Sequence, residues 1–259
     1  MNPELDRLAS VFDALPMLTI AVSGGVDSLT LAHAARWLGK DFAAVHAVSP
    51  AVPASATERV KRHAEAGQWQ LSIIEAGEFA DENYLKNPVN RCYFCKTNLY
   101  GRIREIITEG RIASGTNLDD LGDFRPGLQA AEEIGVVHPF VLAQLCKEDV
   151  RAIARFLKLE DIAELAAQPC LASRIETGIG ISASDLIFVD KVERIVRGSL
   201  PDADIRCRIT SKGVQLQASQ EVAGELVEQI AAQCRAEDRD WLGVAHYQRG
   251  SAFKHDPGE

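Results

Sequence analysis

The sequence predicts an α/β protein: a doubly wound parallel sheet covered by helices, followed by a second, smaller α+β domain. Three observations predict it. Short apolar runs alternate with stretches of helical periodicity through the first two thirds of the chain, and strands that alternate with helices imply crossover connections and a parallel sheet. A glycine turn, SGGVDS at 23–28, separates the first apolar run from the first helical stretch. The alternation stops at AAQPCLASRI, 166–175, where Pro169 breaks any helix.

The elements follow in order. MLTIAVS (17–23) is short, apolar and ends in the glycine turn, as a buried strand does, and LTLAHAARWLG (29–39) has helical spacing up to a stop at Gly39. FAAVHAVS (42–49) and QLSIIEA (70–76) read as strands flanking a helix over 56–67. KTNLYGRIREIITEG (96–110) reads as a helix, RIASGTN (111–117) as the fourth strand and KEDVRAIARFLKL (147–159) as another helix. That places the first domain at 1–165. In the second, 166–259, a helix over about 184–198 precedes strands DIRCRITS and GVQLQAS (204–219), a helix (221–234) and a last strand, DWLGVAHYQ (240–248).

Composition narrows the function. The 259 residues are 46% hydrophobic and 25% charged, which suits a globular protein with a sizeable core. A net charge of −9 argues against a nonspecific nucleic-acid binder, though a local basic site for a small phosphorylated ligand remains compatible with it. There is no run of about 18 apolar residues and no leader pattern at the start. The expectation is a cytoplasmic protein that binds neither membrane nor nucleic acid. In a reducing compartment the six cysteines point to metal binding or catalysis, not to a disulfide framework.

SGGVDS stands where open parallel sheets bind ligands, beyond the carboxyl end of a strand. Gly24 and Gly25 let the backbone turn tightly around an anion, the amides of Val26 and its neighbours point at it, and Ser23 and Ser28 add hydroxyl donors. Asp27 would repel phosphate unless a divalent cation lay between them, which makes it a candidate Mg2+ ligand. The spacing matches neither the Walker loop nor the dinucleotide-binding glycine pattern. A second loop, SGTNLDDLGDFRPG (114–127), follows the fourth strand, so it reaches the same edge. Beyond Gly115, Thr116 and Asn117 can bind ribose or phosphate, Asp119, Asp120 and Asp123 can hold metal or water, and Arg125 can neutralise phosphate.

The pair Cys92 and Cys95 in NRCYFCK leaves several readings open: iron–sulfur ligands, a zinc site lacking an identified fourth ligand, a thiol–disulfide pair, or packing residues. If 92–95 begin a helix, the two share a face. Cys146, Cys207 and Cys234 lie in apolar stretches and read as packing residues. Arg206 and Arg208 alternate along a strand and so point to one face, where they could hold an anion.

SGGVDS resembles the loop of the PP-loop ATP pyrophosphatases, of the adenine nucleotide alpha hydrolase type. SGGVDS, NRCYFCK, GTNLDDLGDFRPG, PCLASRI and the terminal YQRGSAF, in that order and spacing, are similar to the LarE family across nearly the whole chain. That resemblance implies an ATP-dependent sulfur transferase of nickel-pincer nucleotide synthesis, the cofactor of lactate racemase. It would adenylylate a carboxylate of pyridinium-3,5-biscarboxylic acid mononucleotide and convert it to a thiocarboxylate. ATP and Mg2+ would be held by residues 23–28, Gly115, Thr116, Asn117, Asp120 and Arg125.

The resemblance further implies an active-site cysteine at Cys170, with Arg174 beside it. It implies the three-cysteine type, in which Cys92, Cys95 and Cys170 hold a [4Fe–4S] cluster that carries a transferable sulfide. Arg174, Glu193, Arg206 and Arg208 would bind the mononucleotide. The protein would be a homo-oligomer built from dimers, up to a hexamer. Alternatives stand beside this: a version that sacrifices the sulfur of Cys170, a tRNA thiolase, an amidating ligase, and a non-catalytic iron–sulfur or nucleotide-sensing module.

Overall fold

The computed structural model describes residues 2–122, 125–248 and 250–252. The chain forms two compact units: the residues up to Asp81 together with Asn90–Gln168, and Glu82–Val89 together with the residues from Pro169 onward. Within the described residues no helix is long and apolar enough to cross a membrane.

The first unit contains strands β1 (Leu18–Ala21), β2 (Phe42–Val48), β3 (Leu71–Glu75) and β4 (Arg111–Ala113). All pairings are parallel and the order is β3-β2-β1-β4. Its helices are α1 (Pro3–Ala14), α2 (Val26–Trp37) and α3 (Ala54–Gly67), and, after the excursion of the chain into the second unit through α4 (Glu82–Leu85), α5 (Arg91–Ile106), α6 (Pro126–Ile134), α7 (Pro139–Leu142), α8 (Lys147–Phe156) and α9 (Glu160–Ala163). Successive strand residues enter different apolar clusters. Leu18, Ile20, Ala44 and Ala113 pack with Leu8, Phe12, Leu31 and Ile153 from α1, α2 and α8. Val45 and Ile112 pack with Tyr100, Ile103 and Ala131 from α5 and α6. The period of two in a strand thus gives the sheet a core on each face.

Strand order reverses between β1 and β4. The chain leaves β1 toward β2 and β3 on one side and reaches β4 on the other, so the loops after β1 and β4 stand side by side at the carboxyl edge of the sheet, where open parallel sheets bind ligands. Both sequence loops stand there.

The second unit has β5 (Ile205–Thr210), β6 (Gly213–Ala218) and β7 (Trp241–His246) in a mixed sheet, β5 antiparallel and β7 parallel to β6. Helices α10 (Ala183–Ser199) and α11 (Gly224–Ala236) supply its core, with Leu186, Val189, Val192 and Ile230 buried alongside Cys207 and Leu216. The N-terminus of α10 is capped by Ser182, whose hydroxyl accepts from the Asp185 amide at 3.1 Å.

Three element boundaries differ from expectation in ways that matter for the site. Helix α2 begins at Val26, not 29, so Asp27 and Ser28 belong to its first turn. Helix α5 begins at Arg91, not 96, and includes both cysteines of the pair. Strand β4 ends at Ala113, which releases residues 114–117 as loop. Helices α1 and α6 had not been anticipated; Asn2 caps α1 by accepting from the Leu5 amide at 2.9 Å.

Candidate functional site

The glycine loop is shaped by contacts that only its own residues allow. Gly24 has φ of +84°, and a Cβ there would stand 2.7 Å from the Ala56 carbonyl oxygen at the start of α3. Both facts require glycine. The Gly24 carbonyl accepts from Arg59 at 2.7 Å. Arg59 is buried in α3, and that burial lowers its guanidinium pKa. Gly25 caps α2 without a side-chain bond, so the first-turn amides of the helix face the loop's ligand side.

Ser23 and Ser28 do not stand as independent donors. The Ser28 hydroxyl accepts from the Ser23 amide at 3.0 Å and lies 3.2 Å from the Ser23 hydroxyl. They close the loop on itself. Val26 is buried among the apolar residues of the first core and offers the loop only its backbone.

The second loop meets the first backbone to backbone. A Cβ on Gly115 would fall 2.6 Å from the Ser28 amide nitrogen and 2.7 Å from the Asp27 carbonyl carbon. Asn117 is buried, and its Nδ2 donates to Asp27 Oδ1 at 3.1 Å. The Asn117 amide donates to Asp120 at 3.1 Å, and Thr116 Oγ1 lies 2.9 Å from the Ser114 hydroxyl. Arg125 forms an ion pair with Asp120 at 2.9 Å, so its charge is already partly neutralised here. Asp123 lies outside the described residues.

Sequence reasoning missed Lys147. Its Nζ lies 2.7 and 2.6 Å from the two oxygens of Asp27, and its amide donates to Asp119 at 2.7 Å. One signal was available: Lys147 is the first residue of α8, where the helix dipole favours acidic side chains. A lysine at that position breaks a local rule, as functional residues do.

A histidine supports each loop from beneath. His46 Nδ1 lies 2.8 Å from the Val22 carbonyl oxygen, just before Ser23, and His138 Nδ1 lies 2.8 Å from the Ser114 hydroxyl, just before Gly115. Burial lowers the pKa of both.

Cys92 and Cys95 lie at the start of α5, three residues apart and therefore on one face; both are half-buried and neither is in a disulfide. Gly127 of α6 packs against this turn, its absent Cβ 3.4 Å from the Cys92 carbonyl and 2.9 Å from the Lys96 side chain. The segment that continues the second loop thus lies against the cysteines. The spacing and exposure fit two ligands of an iron–sulfur cluster. Cys170, a half-buried free thiol, belongs to the second unit and precedes the short turn Leu171–Arg174. Among the described residues, no group of three or more His, Cys, Asp or Glu side chains is gathered as a metal site.

Of the cysteines expected to pack, Cys207 and Cys234 are fully buried, and burial raises both thiols. Cys146 is different. It is half-exposed at the N-cap of α8, its amide donating to Asp149 at 2.9 Å, because the helix start needs a residue there and not in the core.

The second unit gathers arginines. Arg174 and Glu193 are 1% and 0% exposed. Arg174 Nε and one terminal nitrogen bind the two carboxylate oxygens of Glu193 at 2.8 and 2.9 Å, while its other terminal nitrogen donates to the Pro169 and Cys170 carbonyls and the Ser173 hydroxyl. Glu193 also accepts from Arg197 at 2.7 Å and from the Cys207 amide at 3.0 Å. Burial acts to raise the Glu193 pKa, but the bonds and charge of Arg174 outweigh it and hold the carboxyl below its usual range. Both residues are spent inside the unit. Arg174 therefore organises the chain around Cys170, and Glu193 holds Arg174; neither presents a free group to a substrate in this arrangement.

Arg206 and Arg208 are 7% and 5% exposed. Among the described residues Arg208 donates only to neutral acceptors: Gln217 Oε1 at 3.1 Å and the carbonyls of Ser173 at 2.8 Å and Gln248 at 3.4 Å. Burial, then the charges of Arg174 and Arg206, lower its pKa to about 10. Arg206 lies over the Tyr247 ring at 5.4 Å. Guanidinium groups crowded this closely attract an anion. Gln217, also missed from sequence, pairs in register with Arg206 and accepts from both Arg208 and Ser251, the latter at 3.0 Å.

No family model matches the chain. It is similar to an uncharacterized protein (slr1717) of Synechocystis sp., 35% identical over 204 residues that cover 77% of this chain and 74% of the relative. An uncharacterized protein (MJ0830) of Methanocaldococcus jannaschii is 29% identical over 198 residues, 74% of this chain and 73% of that protein. The pyridinium-3,5-bisthiocarboxylic acid mononucleotide synthase of Lactiplantibacillus plantarum is 29% identical over 206 residues, 78% of this chain and 74% of the synthase.

Proposed function

We propose that the chain is a member of the LarE family and an ATP-dependent sulfur transferase that makes a thiocarboxylate on pyridinium-3,5-biscarboxylic acid mononucleotide. The observation that carries the reading is the meeting of two glycine-bearing loops around Asp27 at the strand-order reversal. We read the first unit as a doubly wound PP-loop domain. Its amides after Gly25 take the β and γ phosphates, and Asp27 and Asp120 are the residues that would hold Mg2+, which when bound would offset phosphate charge.

Two steps follow from this assignment. An oxygen of the substrate carboxylate bonds to the α phosphorus of ATP, the bond from that phosphorus to the bridging oxygen breaks, and pyrophosphate departs with the electron pair. A sulfur nucleophile then adds to the acyl carbon and AMP leaves. In the second unit, Arg206 and Arg208 take the phosphate of the mononucleotide, and Arg174 fixes the backbone of Cys170 for the sulfur step. Cys92 and Cys95, with Cys170, are the residues that would hold a [4Fe–4S] cluster, and such a group would supply the transferable sulfur. The family resemblance further supports a cytoplasmic homo-oligomer built from dimers.

The test is pyrophosphate release under anaerobic conditions with the candidate acceptor varied. Release that requires the pyridinium mononucleotide is the expected result. Release driven instead by tRNA or by ammonia assigns the protein to a thiolase or an amidating ligase.

A further inference from the structure

We propose that Lys147 is a catalytic residue that exchanges partners during turnover: it neutralises Asp27 in the nucleotide-free protein and transfers to the departing pyrophosphate when Mg2+ and nucleotide enter. The proposal rests on the ATP-pyrophosphatase reading of this site and names a residue which that reading did not include.

The geometry behind it is a closed circuit. Asp27 Oδ1 accepts from Lys147 Nζ at 2.7 Å; the Lys147 amide donates to Asp119 Oδ2 at 2.7 Å; the Asp119 amide donates to Asn117 Oδ1 at 3.0 Å; and Asn117 Nδ2 returns to Asp27 Oδ1 at 3.1 Å. The circuit ties α8 to both loops. Through its own amide, Lys147 is fixed to the second loop, and through its ammonium group it reaches into the first. Its position therefore does not depend on the Asp27 bond alone, and it keeps its place when that bond opens.

The pair is also placed for exchange. The side chains of Lys147 and Asp27 are 35% and 28% exposed, open enough for ions and water to compete. An ion pair in that setting contributes little, because water and salt screen it. A divalent cation coordinated by a carboxylate, or an ammonium bonded to a phosphate oxygen, outweighs it. By contrast the other cation of the loop, Arg59, is buried behind Gly24 and bonded to its carbonyl, so it shapes the turn and cannot reach a ligand.

The chemistry needs such a group. As the bond between the α phosphorus and the bridging oxygen breaks, negative charge builds on pyrophosphate. A cation beside the loop stabilises that charge without any proton or electron changing hands. Asp27 cannot serve pyrophosphate directly, because the two repel. Once Asp27 turns to the metal, the lysine beside it is left without its counter-ion at the point where the leaving group gathers charge.

Two opposite effects of one substitution test this. In full-length Lys147→Met, Mn2+ binding to nucleotide-free protein, followed by electron paramagnetic resonance, should tighten severalfold, since Asp27 loses its competitor. Binding of inorganic pyrophosphate with Mg2+, measured by calorimetry, should weaken about tenfold or more, in line with loss of a charge-assisted hydrogen bond. Lys147→Arg should retain most of the pyrophosphate affinity. A purely structural lysine would weaken both ligands together, because α8 would lose its side-chain tie to the first loop and Asp27 would lose its fixed position, and that result overturns the proposal. Wild-type protein that binds pyrophosphate no more tightly than Lys147→Met also overturns it and leaves the enzyme assignment standing. Wild-type protein that binds neither ATP nor pyrophosphate overturns both.

Discussion

The two units arrange their charge in opposite ways. In the first, the glycine loop turns on its backbone, and the charged side chains beside it, Asp27 and Lys147, are partly exposed and neutralise each other. In the second, the cations are buried: Arg174, Arg206 and Arg208 are at most 7% exposed, and Glu193 is sealed completely. Exposed charge costs little to rearrange, whereas buried charge is fixed by the network that satisfies it. The difference matches what each region is proposed to do. The first must admit and release ATP, magnesium and pyrophosphate, while the second must hold a mononucleotide still beside Cys170.

Removing one member of the buried network should have the largest effect. In Glu193→Ala, Arg174 and its charge stay buried while both charge-assisted bonds to the carboxylate are lost. Breaking such a pair costs about 3–5 kcal/mol, to be read as a lower urea midpoint for the second unit. A variant as stable as wild type would show that the arginine finds water or another acceptor, and the unit would not be rigid in the sense argued above.

Next comes the close approach of the loops. Gly115→Ala drives a methyl group into the backbone of Asp27 and Ser28, where neither atom can step aside. Overpacking of this kind costs about 1–3 kcal/mol, and here it should separate the loops and weaken pyrophosphate binding as well. Unchanged binding would mean that the two loops work independently. Arg208→Met should have a more selective effect. Its hydrogen-bond partners are neutral, so stability should change by about 1 kcal/mol or less, while the KM for the mononucleotide rises about tenfold and that for ATP does not. Equal effects on both would place the arginine elsewhere in the reaction.

These residues also show how far sequence reading reaches. SGGVDS and SGTN could be assigned because glycine and small polar residues after a strand have a local meaning, and Arg206 and Arg208 because alternation along a strand is local too. Lys147 lies 120 residues from Asp27 and Arg59 lies 35 from Gly24. Only the fold brings them together: Arg59 stands in an ordinary helical stretch, and the lysine at the start of α8 marks a position without naming its partner. Arg174 and Glu193 were legible as important but not as buried, since burial of a charged pair depends on a partner 19 residues away and on the sheet that covers both. The helix starts at Val26 and Arg91 were misplaced because the glycine loop and the cysteine pair lack the apolar spacing that marks a helix.

The smallest expected effect separates the units by pH. Arginines keep their charge between pH 5 and pH 7, so over that range the second unit's buried cations should contribute little slope. The first unit buries histidines instead. His33 lies 2.8 Å from His63 Nδ1 and packs edge-on against Trp69, with ring centroids 4.5 Å apart, and burial followed by the charge of His63 lowers its pKa to about 4. An unfolded histidine titrates near 6.5. Between those values the unfolded chain binds more protons than the folded one, so this contribution to stability is complete above about pH 6.5 and is lost as pH falls toward 4. His33 is half-buried, and after solvent screening the loss from pH 7 to pH 5 should be on the order of 1 kcal/mol. Urea unfolding followed by Trp69 fluorescence, in a protein whose other tryptophans Trp37 and Trp241 are replaced by Phe, should show that loss in the parent and a smaller one in His33→Gln. Identical slopes in both would move the pH dependence of the first unit to His46 and His138, directly beneath the two loops, and pyrophosphate binding would then weaken over the same range.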